Sequence, residues 1–195
     1  MGRVNGLIKI GVLLVLIVLG FAIHRGLSYG LQPKPEGGNF TLDSAQGSLS
    51  LHDVKGKWVV LYFGYASCPD VCPTNLGLWS QVFHSLSAAE RAQLAFIFVS
   101  LDGERDKPLQ LERYVHYFHP DFMAVTGNEA KVSRVARQYG VKWAKVSSQS
   151  ALGYTLDHSS YSYLVNPDGE LVQMFHHATA SDVLLKAIKA RLKSE

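Results

Sequence analysis

The sequence holds two cysteines, and both fall in Cys68-Pro69-Asp70-Val71-Cys72-Pro73. Thiols this close have three chemical uses. They close a disulfide if the backbone brings their Cα atoms to about 5.5–6 Å. They act as soft metal ligands. Buried in apolar surroundings, they are small hydrophobes. Two prolines and an aspartate in six residues favour a loop over a core run. The spacing is Cys-x3-Cys, not the Cys-x2-Cys of dithiol oxidoreductases. A pair also excludes a disulfide-rich scaffold and any all-cysteine zinc or iron–sulfur centre. The second polar cluster is Tyr154-Thr155-Leu156-Asp157-His158-Ser159. His158 differs from the other seven histidines only by position. It precedes the apolar run Ser160–Val165, and it comes near the cysteines if that run pairs with Trp58–Phe63. His24 borders a long apolar segment, and His52 and His84 read as loop or helix surface. His116 and His119 share a helix end. His176 and His177 are neighbours in extended chain, where successive side chains face opposite ways.

These residues need a frame. Trp58–Phe63 and Leu94–Leu101 are almost continuously apolar, as strands buried on both faces of a sheet are. Between them, Leu76, Trp79, Val82, Phe83 and Leu86 recur at helical spacing, predicting a helix from about Pro73 to Leu86. Pro73 suits the first helical position and biases Cys72 away from helical backbone. Both thiols are therefore expected on a loop that caps the helix. There the N-terminal N–H groups and the helix dipole favour a thiolate, while Asp70 opposes one. Further elements are expected as a hairpin of Phe40–Leu42 with Ser48–Leu51, a helix over Lys107–Phe118 and a strand at Phe122–Thr126. A helix over Glu129–Tyr139, stopped by Gly140, follows. A hairpin of Ser160–Val165 with Leu171–Phe175 turns at Asn166-Pro167-Asp168-Gly169, and the helix Ser181–Leu192 closes the chain. This order predicts a three-layer α/β domain with a central mixed sheet.

Composition agrees with such a domain. The chain has 195 residues, 47% hydrophobic and 18% charged, which excludes a disordered chain. The net charge of +3 has a location. Arg3, Lys9, Arg25 and Lys34 outnumber Glu36 in residues 1–38, whereas residues 39–195 hold 15 basic and 15 acidic side chains. The main domain thus has no electrostatic footprint for nucleic acid. From Ile10 to Ile23 the chain carries no charge, and counted back to Leu7 the span is 17 residues, near the lower limit for crossing a bilayer. Ala22-Ile23-His24 is a poor cleavage site, and no cysteine follows for lipid attachment, so an uncleaved single-pass anchor over residues 1–24 is expected. Arg3 and Lys9 place its start in the cytoplasm. Residues 25–38, with four glycines and two prolines, read as a flexible tether. Residues 39–195 are then expected outside the cytoplasmic membrane.

Three segments together resemble the Sco/SenC family. They are Gly64-Tyr65-Ala66-Ser67-Cys68-Pro69-Asp70-Val71-Cys72-Pro73, then Ser100-Leu101-Asp102-Gly103-Glu104-Arg105-Asp106, then Asp157-His158-Ser159 followed by Tyr163-Leu164 and Pro167-Asp168-Gly169. The resemblance covers about residues 39–195 in the correct order. It implies a thioredoxin-like fold on a membrane anchor, with one copper ion held by Cys68, Cys72 and His158. It also implies a role in assembling the dinuclear copper centre of cytochrome c oxidase, with that enzyme's copper-accepting subunit, other copper carriers or thiol reductants as partners. Gly103, where the family usually has Pro, and Ala66, where Thr is common, depart from the pattern without removing a ligand. The donor set suits Cu(I) and can also hold Cu(II), whereas zinc would take it with a water as fourth ligand. Asp157 is a candidate to order His158, and Tyr65 and Tyr154 are expected to pack near the site. The alternative function is a thiol–disulfide oxidoreductase that uses Cys68 and Cys72 to keep a copper acceptor's cysteines reduced. Ordinary thioredoxins have a proline in the loop before the third core strand, and its absence at Asp157-His158-Ser159 argues against a general oxidoreductase.

Overall fold

The computed structural model describes residues 13–21, 23, 35–149 and 153–192. Two separate bodies are distinguished, one within residues 1–34 and one spanning 35–195. In the first, residues 13–21 and 23 are helical, with exposed apolar side chains such as Leu16 and Phe21. The rest of the apolar run expected from Ile10 to Ile23 lies outside the described residues. No helix among the described residues is long and apolar enough to cross a membrane.

The second body is built on a five-stranded sheet. Its strands are β3 (Trp58–Gly64), β4 (Leu94–Ser100), β5 (Phe122–Val125), β8 (Tyr161–Val165) and β9 (Leu171–His176), in the order β5-β4-β3-β8-β9. β3–β4 and β4–β5 are parallel, while β3–β8 and β8–β9 are antiparallel, so the sheet is mixed. Every residue of β3 and β4 is buried, which requires cover on both faces. The helices α1 (Val71–Ser85), α3 (Pro108–Phe118), α4 (Glu129–Gln138) and α5 (Ser181–Leu192) supply it, with a short helix α2 (Ala88–Ala92) between α1 and β4. Leu76, Trp79, Val82 and Phe83 line the buried side of α1. Each such side chain contributes about 1.5–3 kcal/mol by leaving water. A buried polar pin joins α1 to β8: Trp79 Nε1 and Asn75 Nδ2 donate to Ser162 Oγ at 2.8 and 3.1 Å.

Two small hairpins complete the body. β1 (Thr41–Ser44) pairs with β2 (Gly47–Ser50), as expected from sequence with slightly shifted bounds. The other, β6 (Trp143–Ser147) with β7 (Tyr154–His158), has no counterpart in the sequence reading, which leaves that region as loop. Its residues carry no clean alternation: Ala144 to Ser147 are all exposed. The predicted start of α1 is also corrected. The helix begins at Val71, two residues before Pro73. Pro73 is tolerated there because the first four helical N–H groups have no intrahelical acceptor.

Candidate metal centre

Antiparallel pairing of β8 with β3 sets Ser162 opposite Tyr62, so β8 begins where β3 ends. β3 leads through Gly64 into the cysteine loop. β7 reaches β8 through Ser159 and Ser160 alone, so His158 arrives at the same end of the sheet. One ligand atom each from Cys68, Cys72 and His158 lies within 4.8 Å of the others, and among the described residues this is the one such cluster of cysteine, histidine or carboxylate side chains. His158 Nε2 is 3.7 Å from Cys72 Sγ, and its Nδ1 is 3.2 Å from the Ser159 carbonyl oxygen. That carbonyl can accept the Nδ1 proton, leaving Nε2 with a lone pair directed to the sulfurs.

The two thiols are free and differ in kind. Cys68 is half-buried on the loop and Cys72 is fully buried in the first turn of α1, which corrects the expectation that both lie on the loop. The Cys68 thiol is driven down by hydrogen bonding to Cys72, helped by His158 and by the Asp70 and Cys72 backbone N–H groups. The Cys72 thiol is driven up by the same partner and by burial. The pair therefore gives up its first proton readily and holds the second. Gly64 makes the arrangement sterically feasible: a Cβ there would lie 2.7 Å from Cys72 Sγ and 3.1 Å from Phe98. The donor chemistry, two sulfurs and an imidazole in a partly dehydrated cleft, fits a soft metal ion.

Around the donors, Tyr65 sets its ring edge-on to His158 at 6.0 Å and Tyr62 does so at 6.5 Å. The cleft above them, about 390 Å³, is bordered by Pro69, Asp70, Thr155 and Asp157. Asp157 is exposed and makes no described contact with His158, so the expected ordering role falls to the Ser159 carbonyl. Alternation along β7 explains this, since neighbours on a strand face opposite ways. Tyr154 is displaced from the donors. Its hydroxyl donates to Asp102 Oδ1 at 2.7 Å, and its ring lies under the Arg105 guanidinium. Among the described residues, the remaining histidines stay apart from the cluster. His119 is buried against Phe83 and His84, and its Nδ1 accepts from the Asp121 N–H. His176 and His177 place their rings 4.2 Å apart, contrary to the expected opposite facing, because β9 ends at His176 and the chain turns. The sequence reading names Asp102, Arg105 and Asp106 within the family-like segment but gives them no role; the structure buries Asp102 and Asp106 and leaves Arg105 partly exposed, on a loop that offers no periodic signal.

Comparison with known proteins places these features in a family. The SCO1/SenC family model matches residues 29–193. A SCO2-like protein of Rickettsia felis is 32% identical over 155 residues, 78% of this chain and 75% of its own length. The copper-bound crystal structure of Arabidopsis thaliana ScoI superposes with a TM-score of 0.75 at 30% identity, over 82% of this chain and 99% of that one. Copper-bound ScoI of Bradyrhizobium japonicum gives 0.72 at 32% identity, over 80% and 98%. The mixed α/β architecture is thus the thioredoxin-like fold of these proteins.

Proposed function

The chain belongs to the SCO1/SenC family, and from that premise we propose that it is a membrane-anchored copper carrier. It binds one copper ion through Cys68, Cys72 and His158. It delivers that ion to, or prepares, the dinuclear copper centre of cytochrome c oxidase during assembly. The observation that carries this reading is the convergence of three soft or borderline donors within 4.8 Å. Relatives described as copper-bound support it. Copper is the cargo, and binding it replaces the thiol protons, so loading is favoured where Cys68 is already a thiolate. Half-exposed Cys68 is the donor an incoming or departing ion meets first. Buried Cys72 and His158 retain the ion until a partner's ligands replace them one at a time.

The split ionisation of the cysteines also favours a second use of the same pair. A thiolate beside a protonated thiol is equipped for disulfide exchange. In that reading the chain reduces the cysteines of the copper-accepting subunit and is itself recharged by another thiol reductant. Both readings place the site on the outer side of the cytoplasmic membrane, behind an N-terminal single-pass anchor (residues 1–24), a tether (25–38) and the copper-binding domain (39–195). Neither involves nucleic acid. The test is copper content against free-thiol count in the full chain purified in detergent. Reduced protein should hold one copper per chain. Mildly oxidised protein, with no free thiols, should hold none, because the disulfide consumes both soft donors. Full copper retention without free thiols would defeat the three-donor reading.

A further inference from the structure

Cys68 and His158 belong to parts of the fold that no strand ladder connects. The cysteine loop hangs from β3 in the five-stranded sheet, whereas His158 ends β7 in a separate two-stranded sheet. Besides the two-residue link Ser159-Ser160 and the Tyr65 ring set against His158, the β4–α3 loop joins them. Asp106 Oδ2 accepts from Ala66 N–H at 2.9 Å, two residues before Cys68. The same oxygen accepts from Ser100 Oγ at 2.6 Å, and Ser100 Oγ accepts from Asp102 N–H at 3.0 Å. Asp102 holds Arg105 through Nε and Nη2, both at 2.5 Å. Arg105 Nη1 then donates to the Tyr154 carbonyl oxygen on β7 at 3.0 Å, and its guanidinium lies 3.8 Å over the Tyr154 ring. One continuous polar chain thus runs from the cysteine loop to the strand that carries His158.

Burial makes this chain a poor device for stability alone. The Asp102 side chain is 0% exposed and Asp106 is 5% exposed. Removing carboxylates from water is costly, and replacing a buried ion pair by apolar residues is often neutral or stabilising. What apolar contacts cannot supply is fixed spacing between two loosely coupled elements. We propose that Arg105 and Asp106 are positioning residues that hold His158 at coordination distance from Cys68 and Cys72 before copper arrives. The inference rests on the copper reading of those three donors. Without the bracket the cysteines, adjacent on one segment, remain a two-sulfur site, while the strand that carries the imidazole is less firmly placed against them. Two thiolates satisfy Cu(I), but Cu(II) requires the nitrogen.

The experiment compares wild-type full chain with Arg105→Gln, Arg105→Lys and Asp106→Asn, all reduced, for Cu(I) and Cu(II) affinity and the thiolate-to-Cu(II) absorption. Tyr154→Phe, which loses only a hydroxyl, serves as a milder control. Arg105→Gln should weaken Cu(II) by about tenfold or more, the usual effect of removing a residue that orients a metal ligand. Its charge-transfer band should approach that of His158→Ala, while Cu(I) affinity changes by less than about threefold. Arg105→Lys, which keeps the charge but not the fork, should be intermediate. Asp106→Asn checks the other end of the chain and serves if Arg105→Gln does not fold. A folded Arg105→Gln with an unchanged Cu(II) band and affinity overturns the proposal, as does equal weakening of both oxidation states. If the wild type binds no copper at all, the copper reading itself fails and takes this inference with it.

Discussion

At the scale of residues, the proposed copper site would divide its labour between sulfur and nitrogen. Cu(I) is content with two thiolates, whereas Cu(II) prefers additional donors and an imidazole among them. His158→Ala should therefore abolish the thiolate-to-Cu(II) absorption and weaken Cu(II) most, with Cu(I) surviving in part. Cys68→Ser or Cys72→Ser should weaken both states. His116→Ala and His176→Ala should change neither, since both histidines lie outside the three-donor cluster. Titration by copper of each variant, read by absorption and by competition with a chelator, checks this. A second expectation concerns the metal-free thiols. An ordinary cysteine near pKa about 8.5 loses about tenfold in thiolate fraction per pH unit below that value. Cys68 is depressed by its hydrogen bond from Cys72, so its thiolate persists as pH falls and is lost only below its lowered pKa. Alkylation of reduced, metal-free protein should thus keep most of its rate from pH 8 to pH 6 and label one thiol. Cys72, raised and buried, should stay unlabelled. A rate that falls in proportion to proton concentration across that range would show Cys68 to be an ordinary thiol.

At the scale of elements, close approach sets the site. Gly64 ends β3 directly under Cys72 Sγ, and a methyl group there would lie 2.7 Å from the sulfur. Gly64→Ala should displace α1 at its first turn, cost about 1–3 kcal/mol as overpacking does, and reduce Cu(II) affinity in the protein that remains folded; denaturant melts and copper titration measure the two effects. Gly103 is still tighter, since an added Cβ would meet the Gly127 carbonyl oxygen at 1.8 Å. These elements were unequally legible. β3 and β4 announce themselves as apolar runs because both their faces are buried. The cysteines stood out by their spacing, and His158 by its place before β8. The β6–β7 hairpin did not, because exposed Ala144, Lys145, Val146 and Ser147 leave no buried face to produce alternation. Sequence therefore places His158 on a loop, whereas the structure ends a strand with it. The segment Ser100 to Asp106 stands out by its family resemblance, but the bracket that Asp102, Arg105 and Asp106 form does not, because its partners Ala66 and Tyr154 are brought to it by tertiary packing.

At the scale of the whole molecule, charge and apolar sequence are partitioned along the chain. The whole excess of positive charge lies in residues 1–38, while residues 39–195 balance 15 basic against 15 acidic side chains. A neutral domain has little electrostatic reason to associate with a lipid surface, so in the proposed topology membrane attachment would fall to the uncharged run Ile10–Ile23. Arg3 and Lys9 before that run favour a cytoplasmic start, and Arg25 with Lys34 after it weaken the bias without reversing it. The copper-binding domain would then stand in an oxidising compartment, where a Cys-x3-Cys pair must be actively kept reduced to hold a metal. This makes topology and chemistry a single expectation. A reporter active only after export, fused beyond Glu195, should be active, and the isolated membrane fraction should retain a chain that still begins before residue 10. In cells lacking thiol-reducing capacity outside the cytoplasm, the same chain should accumulate with Cys68 and Cys72 joined and without copper. Activity of a cytoplasm-only reporter at that position would reverse the orientation. It would also remove the reason for the disulfide to form, because cytosolic thiols are kept reduced.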